Sequence, residues 1–267
     1  MKIKEHIAIL GTGNLGEAIA RGFAGEFRAE NITLTRRHLS RLDHLKAQGF
    51  GVTSDNKEAV SKAKYVFLCV QPKQLQDVVK GIEPALDAKK HVLVSTITGV
   101  SLEIIQSYLK DDFSIIRAMP NTAAAIAESM TCICGNELAQ DHLPKVEKMF
   151  KSLGETLIIE ERLMKAATVL AASGIAFFLR YIRAATQGGI ELGFEAEEAQ
   201  KIAMQTARGA ASLLVEGNAH PEREIDKVTT PMGCTIAGLN EMEHQGLSSA
   251  LIKGIVASFE KINRITE

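Results

Sequence analysis

The sequence predicts an α/β fold in which a doubly wound sheet is followed by an all-helical domain. Short apolar runs alternate with helical patterns over the first 160 residues. Continuous apolar strands of this kind are typical of a parallel sheet with helices on both faces. After Glu160 no convincing strand remains, and alanine recurs at helical spacing. We therefore predict two domains, an α/β domain over residues 1–160 and a helical domain over residues 161–267.

The strands and helices of the first domain follow from the positions of the apolar runs. The predicted strands are His6–Leu10, Asn31–Thr35, Gly51–Thr53, Tyr65–Val70, His91–Ile97, Ser114–Met119, Met130–Gly135 and Glu155–Ile159. The predicted helices lie near residues 14–27, 39–48, 56–62, 72–86, 101–110 and 140–152.

The helices of the second domain carry many small residues. Helical spacing persists over residues 161–192, 195–217, 234–244 and 247–265. Pro221 and Pro231 lie in the only stretch that is predicted to be non-helical. The helix from Lys165 onward is apolar and rich in alanine, and such a helix is hard to bury within one small domain. We therefore expect a homo-oligomer, with burial against its own domain as the alternative.

Three glycines at the end of the first predicted strand indicate a dinucleotide site. The run Ile7–Leu10 leads into G-x-G-x-x-G, and a helical pattern follows. The first glycine permits a tight turn, the second lets a pyrophosphate approach the backbone, and the third lets the helix pack close to the strand. Free N–H groups at the helix start would face the phosphates. We therefore expect a Rossmann domain, with a βα turn that binds nothing as the alternative. The predicted contacts are Gly11, Thr12, Gly13, Asn14, Leu15 and Gly16.

Two arginines, Arg36 and Arg37, follow the second predicted strand, where NAD-binding domains usually carry an acidic residue. Guanidinium groups suit a phosphate dianion, so we predict NADPH as the cofactor, with NADH as the alternative. Thr35 and the segment His38–Ser40 offer further donors. Replacement of Arg36 should then weaken NADPH binding more than NADH binding. A pair of solvated surface arginines is the other interpretation.

Composition and charge exclude several classes of function. The formal net charge is −1, which provides no field for nucleic acid or an anionic membrane. Aromatic residues make up 5% of the chain and Trp is absent, so no stacking platform for single-stranded nucleic acid is evident. The longest apolar stretch, Ala166–Leu179, is too short to span a bilayer. We expect a cytoplasmic protein that binds neither nucleic acid nor membranes.

The cysteines and histidines show no spacing that is typical of a metal site, so we predict no bound metal. Cys132 and Cys134 form C-x-C in an apolar run, and no second pair supports a zinc site. They are expected to be buried, reduced thiols on one side of a strand.

Several further motifs resemble those of the pyrroline-5-carboxylate reductases, and the resemblance extends over nearly the whole chain. The motifs are Asp55-Asn56, Val70-Gln71-Pro72, Ser95-Thr96-Ile97-Thr98-Gly99, Arg117-Ala118-Met119-Pro120-Asn121-Thr122, Ser173-Gly174-Ile175-Ala176-Phe177 and Val228-Thr229-Thr230-Pro231-Met232-Gly233-Cys234-Thr235-Ile236. Members of this family use NAD(P)H to make proline. The resemblance implies an NADP-binding Rossmann domain at residues 1–160. It also implies a helical dimerisation and substrate domain at residues 161–267.

The resemblance implies further cofactor contacts from Asn56, from the turn after the fourth strand, and from the loop after the sixth strand, which flanks the nicotinamide. Asn121 in that loop can donate and accept, so it could orient the carboxamide or a neighbouring loop. Capping of the next helix is the alternative. Besides Asn56, the implied contacts are Val70, Gln71, Pro72, Met119, Pro120 and Asn121.

The resemblance also implies a cyclic imine substrate, whose carboxylate is held at the N-terminus of a helix. Thr235 aligns with the family's hydrogen-bond partner or proton donor to the imine nitrogen, so it is the predicted catalytic residue. A threonine hydroxyl is a poor acid, which favours orientation or a water relay over direct proton donation. An N-cap threonine without chemistry is the alternative. The implied substrate contacts are Thr230, Gly233, Cys234, Thr235 and Ser173.

Assembly follows from the same resemblance. It implies a homodimer through the helical domain, an active site that uses residues of both subunits, and a larger ring of dimers. The chain departs from the family pattern at five positions, namely Gln71, Ala123, Ile175, Met232 and Cys234. These departures leave two alternatives: an NADP-dependent reductase of another imine or of a β-hydroxyacid, with Lys165 as its acid or base, and a non-catalytic relative that binds nucleotide.

Overall fold

A computed structural model describes residues 4–265, so residues 1–3 and 266–267 of the two predicted domains lie outside the described residues. Within the described range, eight strands form one sheet. They are β1 Ile7–Leu10, β2 Ile32–Thr35, β3 Gly51–Thr53, β4 Tyr65–Leu68, β5 Val92–Ser95, β6 Ser114–Met119, β7 Ser129–Gly135 and β8 Gly154–Ile158. Each lies where an apolar run predicted a strand.

The strand order is β3-β2-β1-β4-β5-β6-β7-β8. β1 pairs in parallel with both β2 and β4, and Ile9 lies opposite Leu34 on one side and Phe67 on the other. The chain thus winds outward from β1 in both directions, which confirms the doubly wound sheet. Such a reversal of strand order opens a crevice at the carboxyl ends of the strands, where ligands bind.

One strand departs from the predicted parallel arrangement. β7 runs antiparallel to β6 and parallel to β8. The connection between β6 and β7, residues 120–128, contains only a short 3₁₀ segment, Thr122–Ile126. A parallel crossover needs about a dozen residues or more, so this connection is too short for one. The short connection therefore requires β7 to run antiparallel to β6.

Helices cover both faces of the sheet. Polar N-caps fix two of their starts: the Asp55 carboxylate accepts from the Lys57 N–H at 2.8 Å, and Ser101 Oγ accepts from the Ile104 N–H at 3.2 Å. The helices within the first 167 residues are α1 Asn14–Glu26, α2 Asp43–Lys46, α3 Asn56–Lys62, α4 Leu75–Ile82, α5 Leu102–Gln106, α6 Leu143–Lys151 and α7 Met164–Ala167.

A buried core lies on each face of the sheet. On one face Phe23 packs edge-on against Phe67 and Phe150, with ring centroids 5.2 and 5.5 Å apart. The other core includes Cys132 and Cys134, which are buried free thiols, as expected. Because both faces are covered, the carboxyl ends of the strands remain the accessible part of the sheet.

Packing divides the chain into two compact units. The first holds the residues through Ser173 together with those from Phe259 onward, and the second spans Gly174–Ser258. These units reflect contacts within one chain and do not test where the functional domains meet. The predicted domain boundary between residues 160 and 161 therefore stays a prediction. The helices of the later part of the chain are α8 Gly174–Glu191, α9 Ala196–Gly217, α10 Pro221–Val228, α11 Cys234–His244 and α12 Leu247–Ile265.

The prediction that Pro221 lies in a non-helical stretch is wrong. Pro221 is the first residue of α10, a position whose N–H has no helical partner, so proline is tolerated there. His220 caps the helix, since its Nδ1 accepts from the Glu222 N–H at 3.3 Å. Pro231, by contrast, lies in a turn before α11.

The helical stretch from Glu161 to Glu191 changes its hydrogen-bond pattern along its length. α7 leads into a π-helical segment, Thr168–Ser173, which leads into α8. By length and composition this stretch could cross a membrane, with a mean hydropathy of 1.5 over its most apolar window, of which 22% is buried. The expectation of a stretch too short for a bilayer rested on the apolar run Ala166–Leu179, which Thr168 and Ser173 interrupt, and does not hold for the whole helical stretch. Large apolar side chains on this stretch, such as Leu170 and Phe178, are exposed.

Candidate active site

The three glycines after β1 differ in what surrounds them. Gly11 has φ +91°, and a Cβ there would lie 2.6 Å from Val70 Cγ1, so only glycine fits the turn. At Gly16 a Cβ would lie 2.8 Å from the Gly11 carbonyl oxygen. At Gly13 a Cβ would meet no atom within 4 Å. The space in front of Gly13 is therefore open, and the other two glycines are required by packing.

The N-terminus of α1 offers donors to this open space. Gly13 is the N-cap and provides no side-chain oxygen, so no side chain satisfies the N–H groups of the first turn. The neighbouring Thr12 donates its N–H to the Thr35 carbonyl at 2.9 Å. Its hydroxyl Oγ1 is buried and has no hydrogen-bond partner among the described residues. An unpaired buried hydroxyl beside an uncapped helix start is suited to a phosphate-bearing ligand.

A cleft of about 450 Å³ opens at the carboxyl ends of β1 to β4. The predicted cofactor residues that line it are Gly11, Thr12, Gly13, Arg36, Arg37, Asn56, Val70 and Gln71. Thr35 and His38, predicted as further donors, line it as well. Asn14, Leu15 and Gly16 form the first turn of α1, and Pro72 begins the 3₁₀ segment after Gln71.

Four lining residues were missed by the motifs. They are Ser54, Cys69, Gln74 and Val78. Ser54 and Cys69 follow β3 and β4 directly, so the rule that ligands bind at the carboxyl ends of strands could have identified them. Burial raises the pKa of the Cys69 thiol to about 12, which favours the neutral thiol over the nucleophilic thiolate.

The two arginines after β2 have different surroundings. The half-buried Arg36 donates from Nη1 to the Thr12 carbonyl at 2.9 Å, so it braces the glycine turn. Arg37 is exposed, lines the cleft, and forms no hydrogen bond or ion pair with the residues that the structure describes. Its guanidinium is thus free to bind a ligand phosphate. Together with the Gly13 opening and the Thr12 hydroxyl, these residues fit an NADP dinucleotide.

The loop after β6 is buried at its start, at Pro120 and Asn121. Thr98 Oγ1 lies 3.9 Å from Met119 Sδ, and Pro120 is buried. The Asn121 side chain accepts from the Ala123 N–H at 2.9 Å and donates to the Ala171 carbonyl at 3.2 Å. Its amide is therefore engaged with the protein, both as a cap and as a link to the π-helical segment.

The second unit carries the motif implied for the substrate at the start of α11. Gly233 is the N-cap and donates its N–H to the Thr230 carbonyl at 2.9 Å. A Cβ at Gly233 would lie 2.5 Å from Thr230 Oγ1, so glycine is required there. No side chain caps α11, which leaves the N–H groups of its first turn, from Cys234 to Ile236, for a ligand. Thr235 lies in that turn and is half-buried.

Met232 occupies a position where the family pattern has glycine. Its φ of +61° lies in the left-handed region that favours glycine, and its side chain is fully exposed. A non-glycine residue thus adopts a backbone conformation that glycine reaches at lower cost. The exposed side chain adds apolar bulk beside the start of α11.

The remaining candidates are Ser173, Lys165 and a metal site, and the two residues lie in the first unit. Ser173 ends the π-helical segment of the first unit. The Lys165 ammonium donates to Asn263 Oδ1 at 3.2 Å, so it is a bonded group. Among residues 4–265, no three His, Cys, Asp or Glu side chains are placed to hold a metal ion.

Two family models match the chain. The model described as pyrroline-5-carboxylate reductase dimerisation matches residues 161–265. The model described as NADP oxidoreductase coenzyme F420-dependent matches residues 6–99. The second match contains the glycine turn and all residues that line the cleft, and the first contains all helices from α7 onward.

Curated relatives and a solved structure are similar over nearly the whole chain. Pyrroline-5-carboxylate reductase 1 of Dictyostelium discoideum is 49% identical over 98% of this chain, which spans about half (50%) of that protein's length. Pyrroline-5-carboxylate reductase 2 of the same organism is 47% identical over 99% of this chain and 94% of its own length. The structure of a pyrroline-5-carboxylate reductase from Coxiella burnetii superposes with a TM-score of 0.93, at 26% identity, over 99% of this chain and 100% of that one.

The similarity therefore extends well beyond the glycine turn. One relative is matched over almost its full length, and the helical part of the chain fits a dimerisation model that is specific to these enzymes. The doubly wound sheet and the helices that follow it agree with the fold of the solved relative. This chain belongs to the pyrroline-5-carboxylate reductase family.

Proposed function

We infer that this chain reduces 1-pyrroline-5-carboxylate to L-proline by hydride transfer from NADPH, the last step of proline biosynthesis. The observation that carries this inference is the 47% identity to a named reductase over 94% of that protein's length. The cleft beside the glycine turn supports it, because its free donors suit a phosphorylated dinucleotide.

The cofactor would be held by the residues around the cleft. Thr12 and the first turn of α1, Asn14 to Gly16, would bind the pyrophosphate, and Arg37 would bind the 2′-phosphate. Asn56 and the turn Val70-Gln71-Pro72 border the same cleft or continue from it. The buried loop Met119-Pro120-Asn121 would flank the nicotinamide, where an apolar wall excludes water. When bound, the reduced nicotinamide supplies the hydride.

Substrate binding is assigned to the start of α11. The uncapped N–H groups there would bind the carboxylate, helped by the helix dipole, with Thr230, Gly233 and Cys234 shaping the cradle. Thr235 would hold the imine nitrogen by a hydrogen bond, directly or through a water that delivers the proton. Ser173 would contact the substrate as well.

Assembly and location belong to the same proposal. The dimerisation model covers the apolar helical stretch Glu161–Glu191, so a second copy of the chain, rather than lipid, would cover its exposed surface. We propose functional domains at residues 1–160 and 161–267, a homodimer through the second, assembly into a ring of dimers, and a location in the cytoplasm.

The direct test is the loss of NADPH absorbance with purified protein and pyrroline-5-carboxylate, run beside NADH. We expect rapid loss with NADPH and slower loss with NADH. Thr235→Ala should lower kcat by about tenfold or more while NADPH binding is kept, and Thr235→Ser should restore most of it. Thr229→Ala removes a neighbouring hydroxyl and serves as the control. Absence of turnover in protein that binds NADPH would contradict the proposal and favour another imine, a β-hydroxyacid or a non-catalytic role.

A further inference from the structure

We propose that Asn121 is a positioning residue whose side-chain amide ties the loop after β6 to the π-helical segment Thr168–Ser173, and so holds Ser173 in place. The role given to Ser173 rests on the proposed function. The tie itself does not, because it is a contact between two parts of the first unit.

Every group of Asn121 that faces the protein is occupied. Its backbone N–H donates to Ser129 Oγ at 3.0 Å, and its Oδ1 accepts from the Ala123 N–H at 2.9 Å. Its Nδ2 donates to the Ala171 carbonyl at 3.2 Å. These partners fix the orientation of the amide, since an N–H can only donate and a carbonyl can only accept. The residue is 7% exposed, so water is a poor substitute for either partner.

The segment that Asn121 contacts is an unusual one. A π-helical turn is rare and is often found at functional sites. Here Thr168 Oγ1 donates to the Met164 carbonyl at 2.8 Å at the start of the segment. Near its end the Ala171 carbonyl accepts from Asn121, which lies fifty residues away in the chain. The later part of the segment, two residues before Ser173, thus depends on a long-range contact.

A residue of β6 also holds Glu161, at the start of the helical stretch that leads into the π-helical segment. Glu161 Oε1 accepts from Arg117 Nη1 at 3.1 Å and from the Leu102 N–H at 2.6 Å. Arg117 lies within β6, and Asn121 lies just after it. One anchor within β6 and one just after it thus hold residues 161–173 near the start and near the end. Loss of the second anchor would free the end that carries Ser173.

The competing explanation is that Asn121 only caps the 3₁₀ segment Thr122–Ile126. Substitutions can separate the two roles, because serine and aspartate are N-caps about as good as asparagine. Serine is too short to reach the Ala171 carbonyl, and a carboxylate has no hydrogen to donate. Asn121→Ser and Asn121→Asp therefore keep the cap and lose the tie, whereas Asn121→Ala loses both.

The experiment measures amide hydrogen exchange in residues 168–173, together with KM and kcat for pyrroline-5-carboxylate, in the wild type and the three variants. We expect faster exchange of the segment in all three and a KM for the imine raised by about tenfold or more, since small misplacements of binding groups are costly. The Kd for NADPH is measured in the same variants, because Asn121 also belongs to the loop proposed to flank the nicotinamide.

Wild-type exchange and KM in the serine and aspartate variants, with a defect only in the alanine variant, would overturn the proposal in favour of capping. Failure of the wild type to reduce pyrroline-5-carboxylate would instead contradict the proposed function. The exchange data would still decide whether the tie exists, so the two failures can be told apart.

Discussion

At the scale of single residues, Arg36 and Arg37 show how neighbours with the same side chain acquire different roles. Arg36 donates to the Thr12 carbonyl at 2.9 Å and so supports the turn that both NADPH and NADH would use. Arg37 has no partner among the described residues and lines the cleft. The preference for a 2′-phosphate should therefore depend on Arg37 more than on Arg36, the residue that the sequence pattern favoured.

Arg37→Ala should raise the Kd for NADPH by about tenfold to a hundredfold, the usual cost of losing a hydrogen bond to a charged group, and leave the Kd for NADH nearly unchanged. Arg36→Ala should weaken both cofactors to a similar degree. Fluorescence titration of each cofactor measures these constants, and Arg41→Ala, an exposed arginine nearby, controls for net charge. Equal weakening of NADPH and NADH by Arg37→Ala would contradict the assignment.

At the scale of elements, the glycine turn between β1 and α1 combines a packing requirement with a binding requirement. Gly11 and Gly16 have no room for a Cβ, whereas Gly13 has ordinary backbone angles of φ −90° and ψ −159° and open space in front of it. A side chain at Gly13 would thus leave the fold intact and fill only the space where the pyrophosphate approaches.

Gly13→Ala should keep the thermal midpoint of the protein close to that of the wild type. It should raise the Kd for NADPH and for NADH by about tenfold or more, because the methyl group blocks the close approach to the backbone. Gly16→Ala is the matched variant, and it should lower the thermal midpoint through its collision with the Gly11 carbonyl. Unchanged cofactor binding in Gly13→Ala would show that the pyrophosphate lies elsewhere.

A second feature at this scale is the buried His91, which directly precedes β5. Its Nδ1 accepts from the Asp87 N–H at 2.8 Å, and its Nε2 lies 3.2 Å from the Val60 carbonyl, so the neutral ring satisfies both contacts. Burial lowers the pKa of His91, and the nearby Lys90 lowers it further, against hydrogen bonds to Val60 and Asp87 that raise it.

Because the pKa of His91 is lower in the folded than in the unfolded chain, the unfolded chain binds more protons as the pH falls through about 6.5. The contribution of His91 to the free energy of unfolding should reach its full value above that pH and should decline below it. Urea titrations between about pH 5.5 and 7.5 measure this slope, and His91→Gln should reduce it. His142, whose pKa burial also lowers, would account for the slope that remains. An unchanged slope in His91→Gln would rule out His91 as its source.

At the scale of the whole molecule, the second unit exposes many large apolar side chains, as surfaces that bind a partner do. Phe178 on α8 is 73% exposed, and many large apolar side chains on α8, α9 and α12 share this exposure. Within the first unit, by contrast, the large apolar side chains are mostly buried in the two cores. These exposed apolar side chains lie within residues 161–265, the range that the dimerisation model matches.

Phe178→Glu should convert the proposed dimer into a monomer, because a carboxylate would have to be buried in an apolar interface. Light scattering after gel filtration measures the mass, and we expect reductase activity to fall with it while NADPH is still bound. Leu138→Glu replaces an exposed apolar residue of the first unit and is the matched control. A dimer that survives Phe178→Glu would place the interface away from this face of α8.

The sequence by itself determined the order and kind of nearly all elements, since apolar periodicity, glycine turns and caps act over a few residues. It also indicated the cofactor motif, because the motif is contiguous. The tertiary structure alone decided the direction of β7, which depends on the length of the β6–β7 connection and on its pairing with β8. It alone distinguished Arg36 from Arg37 and joined Asn121 to Ala171, because hydrogen bonds between residues distant in the chain exist only once the sheet has brought its loops together.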